Sequence, residues 1–336
     1  MENYILLIPL ISSFFVTLFM LPYWINKSKL FGFVGKDMNK AGEPKVSEGG
    51  GLIAVAGFIL GILIYVAIKQ FFFNSDAKFI EIFALTTSLL MLTMIGIIDG
   101  SLGWKIGLRR RIRIALCLFA AVPLMVINAG QSSISLPFFG VINLGLFYPL
   151  IIIPLGLAVT STTFNFLAGF NGLEAGQGII FLSALSLVAY FTGHSWLAFI
   201  GLIVVVSLIA FLFYNLYPAK VFPGDVLTYP IGGMIAIMAV LGNFERIALF
   251  FFIPYVIEVI LKSRGGLTKQ SFGLPKESGN LELRYNKFYS LNHVAIFLLN
   301  KTRFKATERK VVFAIWAFQI IFIILGFIIF REGIFV

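Results

Sequence analysis

The segment WLAFIGLIVVVSLIAFLFY (196–214) runs without a single charge, and it is one of several such segments in the chain. Apolar runs of about 20 residues are what the hydrocarbon core of a bilayer requires, and a soluble domain does not string them together. Of the 336 residues only 12% are charged against 59% hydrophobic, about half the charged share of a typical soluble protein. The sequence thus implies an all-α integral membrane protein. Hydropathy places ten transmembrane helices near 4–25, 51–68, 79–98, 113–129, 141–164, 176–192, 196–214, 227–241, 246–261 and 311–330. The second and eighth are short, and only the turn signal Thr192-Gly193-His194-Ser195 separates the sixth from the seventh, so nine and eleven stay open as alternatives. The first lacks a basic leader and a small-residue cleavage site, and is expected to be a retained helix. A single polytopic domain over 1–336 is expected, since no repeat and no loop large enough to fold alone stands out.

Lysine and arginine set the orientation. With the amino terminus outside, the inner loops 26–50, 99–113, 165–175, 215–226 and 262–310 hold 22 of the 26 basic residues, leaving only Lys69, Lys78, Arg246 and Arg331 outside. The net charge of +11 is then mainly a topology signal that also suits anionic lipid headgroups and phosphorylated substrates, and nucleic acid is not needed to explain it. Cys117 is the single cysteine, which excludes an intrachain disulfide and a thiol-rich metal site. Within the last loop HVAIFLL (293–299), flanked by basic residues, is too short to span and reads as an interfacial helix.

Against this apolar background the polar residues at span ends are informative, because ionisable groups beside apolar helices are costly and mark a cavity or the bundle interior. Asp99, Asn165, Asn171, Glu174 and Asp225 all fall on the predicted inner side. One carboxylate and one amide oxygen are enough protein ligands for Mg²⁺, which keeps water and substrate phosphate for its other positions, and Asp225 and Asn165 meet that need. Gly169 could let a flat ring approach the backbone, Phe222 could face its other side, and Arg109 with last-loop lysines could neutralise pyrophosphate. Each residue taken singly also has a structural reading. Asn165 and Asn171 suit a helix-terminal turn, Asp225 an N-cap, Asp99-Gly100 a helix end, and Arg109-Arg110-Arg111 a topology anchor. Lys36 and Glu48 suit solvated loop charges, Phe222 is one of 38 phenylalanines, and Glu174 suits a helix-start carboxylate.

Together, GKDMNK (35–40), SEGGG (47–51), FNFLAGFNGLEAGQ (164–177), YPAKVFPGD (217–225) and LELRYNKF (281–288) resemble the polyprenyl-phosphate N-acetylhexosamine-1-phosphate transferases, closest to their eukaryotic and archaeal dolichyl-phosphate branch. The histidine-rich motif of the bacterial muramyl-pentapeptide branch is absent. The resemblance implies a ten-span enzyme that moves a sugar-1-phosphate, GlcNAc-1-phosphate first among the candidates, from a UDP-sugar to a polyprenyl or dolichyl phosphate and releases UMP. It also implies Mg²⁺, with Mn²⁺ as a substitute, held by Asn165 and Asp225. Gly169 and Phe222 would sandwich uracil, Asn171 would bond its edge, and Lys36 and Glu48 would lie along the nucleoside. Arg109 and Lys269 would approach the phosphates, and Asp99 would orient or deprotonate the acceptor. A homodimer and an archaeal plasma membrane, with the site facing the cytosol, complete the expectation.

Two departures stand out. The family's paired carboxylates after the third span are reduced to Asp99-Gly100, and the polar position three residues further on is Gly103. In place of an arginine-histidine-arginine run the last loop reads TKQSFGLPK (268–276), with Lys269 and Lys276 as its basic residues. A transporter for an anionic solute and an inactive family member are the competing readings. The transporter is opposed by polar groups gathered at one rim and by the lack of two related halves.

Overall fold

The computed structural model describes residues 2–101, 107–136, 140–303 and 305–335; Gly103 of the departure just noted lies outside them. After a single turn, α1 (Glu2–Ile5), seven described helices are long and apolar enough to cross a membrane. They are α2 (Leu7–Leu30), α3 (Gly51–Phe71), α4 (Phe79–Ser101), α8 (Leu173–Phe191), α9 (Ser195–Asn215), α10 (Asp225–Gly242) and α14 (Glu308–Ile329), the last followed by the short α15 (Arg331–Ile334). Gly193, at φ +82, turns the chain between α8 and α9, so the weak signal at 192–195 is a genuine helix boundary.

Of the other three predicted spans two are broken and one is shortened, and proline stands in the first turn of the helix that follows each break or opens the shortened span. Predicted 113–129 is α5 (Arg110–Phe119) and α6 (Val122–Val126), with Pro123 in the first turn of the second piece. Predicted 141–164 begins only at Tyr148, as a π-helical turn over Tyr148–Ile152 that runs into α7 (Ile153–Phe164), with Pro149 and Pro154 at the two starts. Residues 140–143 belong instead to a hairpin, β3 (Ser133–Leu136) with β4 (Gly140–Asn143). Predicted 246–261 is α11 (Glu245–Phe251) and α12 (Ile253–Ser263), broken at Phe252 before Pro254. A proline donates no backbone N–H and fits the first helical turn, so at Pro123 and Pro254 an apolar run that hydropathy reads as one span becomes two helices.

The bundle is built around α10, which is buried over nearly its whole length and packs against α4, α7 and α8. Small residues permit this closeness, as they do in membrane bundles generally. A Cβ on Gly232 would lie 2.5 Å from Thr160 O on α7, and one on Gly96 of α4 would lie 2.5 Å from Asp225 O on α10. Hydroxyls tie α2 and α3 to α9: Thr17 Oγ1 and Ser207 Oγ are 2.9 Å apart, and Ser207 Oγ donates to Ala54 O at 2.7 Å. At the periphery α2 and α14 expose Phe15, Phe19, Ile321 and Ile324, an apolar belt suited to lipid.

At the predicted inner face the loops are joined to one another. Strands β1 (Val34–Lys36) and β2 (Lys45–Ser47) pair antiparallel. The end of β2 then meets the 217–225 segment, with Phe222 N donating to Ser47 O at 2.8 Å and Gly50 N to Phe222 O at 3.1 Å. The predicted short helix is α13 (Leu291–Asn300), N-capped by Ser290, and the hairpin β5 (Leu274–Pro275) with β6 (Leu281–Glu282) precedes it.

Candidate active site

A cavity of about 1010 Å³ opens where α4, α7 and α10 end together beneath these loops. Asp225 is the first residue of α10, where the helix dipole favours an anion, and Asn165 caps the C-terminus of α7. Asn165 Nδ2 donates to Asp225 Oδ1 at 2.7 Å. Asp99, near the end of α4 and 4% exposed, comes close enough to Asp225 for the two carboxylates to act on each other. Three donors hold Asp99: Leu108 N at 2.7 Å, Tyr229 Oη at 2.7 Å and Arg113 Nη2 at 2.8 Å. Arg113 stands near Asp225 as well, so two carboxylates share one guanidinium.

Gly169, Phe222, Glu48 and Lys36 line the same cavity. Glu174 Oε1 accepts the N–H of Gly169 at 2.9 Å, so the carboxylate in the first turn of α8 also fixes the turn at its mouth. The ring of Phe222 lies beside Gly35, and the carboxylate of Glu48 lies on the same side of that glycine. Burial raises the Glu48 pKa above its ordinary value. Lys36 is exposed and pairs with Glu43 at 3.1 Å. Gly100 also lines the cavity, and a Cβ there would meet nothing within 4 Å, so the place of the missing second carboxylate is open space.

Three expected residues sit elsewhere. Arg109 is exposed at the N-cap of α5, outside the cavity lining, and Arg110 and Arg113 take its place there. The helix begins at residue 110, and its phase turns Arg113 toward Asp99. Asn171 is buried and outside the lining. Its Oδ1 accepts from Lys40 Nζ and Ala219 N, each at 2.8 Å, its Nδ2 donates to Asp37 Oδ2 at 3.1 Å, and its N–H goes to Glu308 Oε1 at 2.8 Å. The side chain thereby joins GKDMNK to the 164–177 segment. Lys269 stands over the Tyr285 ring and lines a smaller side cavity of about 240 Å³ that shares Asn165, Gly169 and Phe272 with the large one. Lys276 is paired with Glu282, outside both cavities.

Sequence reasoning missed Arg113, Tyr229 and Asn39. Tyr229 had a signal, since it lies four residues after Asp225 and shares its helix face. Asn39 lies within GKDMNK, but nothing local marks its role, because its partners Gly169 and Gly273 are more than a hundred residues away.

Fold and site define a multi-pass helical membrane protein whose oxygen-rich site is assembled by loops at one end of the bundle. The chain belongs to glycosyl transferase family 4, whose description matches residues 82–243. A Saccharolobus solfataricus protein provisionally named UDP-N-acetylglucosamine–dolichyl-phosphate N-acetylglucosaminephosphotransferase is 38% identical, covering 96% of each chain. A Dictyostelium discoideum protein bearing that name outright is 28% identical over 67% of this chain and 64% of its own. The phospho-N-acetylmuramoyl-pentapeptide-transferase of Halalkalibacterium halodurans is 29% identical over 76% of this chain and 81% of its own.

Proposed function

We propose that the protein transfers a sugar-1-phosphate, GlcNAc-1-phosphate first, from a UDP-sugar to a polyprenyl or dolichyl phosphate. The observation that carries this reading is the Asp99–Asp225–Asn165 cluster at the base of a cavity whose walls include Phe222 and Gly169. An oxygen of the acceptor phosphate forms a bond to the sugar-bearing phosphorus, the bridging P–O bond breaks, and UMP leaves with the electron pair. Catalysis of such a displacement is chiefly positioning and charge neutralisation.

Asp99 supports orientation over proton removal. Both its oxygens already accept strong donors, and a phosphate monoester with a second pKa near 6 is largely ionised at pH 7 without a base. Its task is then to hold the Arg113 guanidinium at the cavity wall. A divalent cation fits the donor set: two carboxylates with one shared arginine, and an amide that offers oxygen after a half-turn, give oxygen-only ligands. Asp225 and Asn165 would hold Mg²⁺ or Mn²⁺, which when bound neutralises charge on the transferring phosphates. The lysine and arginine distribution supports a cytosolic site with the amino terminus outside, and the Saccharolobus relative supports an archaeal plasma membrane.

Purified protein given UDP-GlcNAc, Mg²⁺ and a polyprenyl phosphate is expected to release UMP and form a lipid-linked pyrophosphoryl sugar. No release with any UDP-sugar across a donor screen overturns the reading. Asn171→Ala separates scaffold from ligand. Losing a buried amide with three side-chain hydrogen bonds is expected to cost about 2 kcal/mol, lowering the thermal midpoint while leaving the UMP Kd within a few-fold. A tenfold weaker Kd at an unchanged midpoint would return Asn171 to base recognition.

A further inference from the structure

An aromatic side chain of the last loop stands in the cavity wall beside Asn165. Gly169 has φ +97, and a Cβ built on it would lie 2.5 Å from Cε1 of Phe272. The surface this glycine would offer to a flat ring is therefore already covered by a phenyl group. Phe272 lines the same cavity as Phe222, which packs separately beside Gly35.

Phe272 is held from several sides. Asn39, 4% exposed, donates Nδ2 to Gly169 O at 2.7 Å and accepts Gly273 N through Oδ1 at 3.0 Å, so one amide fixes the glycine and the residue after the phenylalanine together. Arg284 donates to Gly273 O at 3.3 Å and to Gln270 Oε1 at 3.1 Å. On the amino-terminal side of Phe272, Ser271 Oγ is bonded by Lys262 Nζ. His293 Nε2 lies 3.3 Å from Phe272 O, while its Nδ1 accepts Tyr289 N at 3.3 Å. Burial pushes the His293 pKa down to about 4, so the imidazole is neutral at pH 7, with its proton on the nitrogen that faces the carbonyl. A side chain whose own carbonyl and both neighbours are pinned presents a fixed face, and a fixed face loses little entropy when a ligand stacks on it.

We propose that Phe272 is the second aromatic wall of the donor's nucleobase slot, opposite Phe222, with Gly169 backing the ring instead of forming the wall. The glycine is then required because any side chain would push Phe272 into the slot. The inference deepens the UDP-sugar reading and rests on it. Stacking between two rings supplies base affinity that an aromatic on one side alone does not.

The test measures UMP binding to the purified full chain for wild type, Phe222→Ala, and Phe272→Ala, Phe272→Leu and Phe272→Tyr. Phe272→Ala is expected to weaken UMP about tenfold, Phe272→Leu several-fold despite its similar bulk, and Phe272→Tyr less than about twofold. The KM for polyprenyl phosphate should stay at the wild-type value throughout. Unchanged or tighter UMP binding by Phe272→Ala and Phe272→Leu, with Phe222→Ala still weakened, overturns the proposal while leaving the donor reading intact. Wild-type protein that binds no UMP overturns the donor reading itself. A tyrosine variant as weak as the alanine variant, at an unchanged thermal midpoint, also counts against a stacking role.

Discussion

Asp225→Ala is expected to lower UMP release by about a hundredfold to a thousandfold while the protein stays folded. The carboxylate starts α10, accepts from Asn165 at 2.7 Å and faces the cavity close to Asp99. Removing it takes away the one group there that can receive both a divalent cation and the Asn165 amide. A ligand oxygen that helps neutralise a transferring phosphate contributes several kcal/mol in the transition state, and each 1.36 kcal/mol is a factor of ten in rate. Stability is expected to change little, or to rise, because the alanine relieves repulsion between two neighbouring carboxylates. That pairing of signs makes the result diagnostic: a dead variant with an unchanged or higher thermal midpoint assigns Asp225 to chemistry. A variant that keeps more than a tenth of wild-type activity removes the metal assignment.

What could be read from the sequence follows from which interactions are local. Seven spans were legible because burial in lipid imposes an unbroken apolar run, which any window average detects. The breaks at Pro123 and Pro254 were not, since hydropathy weighs a side chain's transfer and ignores its missing N–H. Asp99, Asn165 and Asp225 were legible for a related reason: polar groups at span ends are too costly to be incidental, and all three line one cavity. Arg109 was chosen over Arg113 because the basic run alone does not fix where α5 starts, and the start decides which arginine turns inward. Asn171 is a different kind of case. A polar side chain beside two glycines is compatible with ligand or scaffold, and the contacts that favour scaffold come from Lys40 and Asp37, distant in sequence. GKDMNK changes meaning accordingly: Lys36 stays at the cavity rim paired with Glu43, while Asp37, Asn39 and Lys40 tie three loops together.

Gly96→Leu is expected to lower turnover about a hundredfold through packing, by displacing the backbone that carries Asp225 and leaving every polar side chain of the site in place. Gly96 lies three residues before Asp99 on α4, so both face the same neighbour, and that neighbour is the start of α10. A Cβ on Gly96 would lie 2.5 Å from Asp225 O and 2.6 Å from Val226 Cα. Those are backbone atoms and cannot swing aside as a flexible side chain would, so α4 and α10 must separate. Overpacking of this kind costs about 1–3 kcal/mol, seen as a lower thermal midpoint. The effect on rate should be larger, because the displacement falls on the contact that sets Asp99 against Asp225, and a shift of about 1 Å in a reacting constellation costs about a hundredfold. Gly96→Ala should show the same loss in weaker form. Gly156→Ala on α7 supplies the contrast, since a Cβ there meets nothing within 4 Å and helix propensity favours alanine. If Gly96→Leu and Gly156→Ala turn over at the same rate, the close approach of α4 to α10 is not what aligns the two carboxylates.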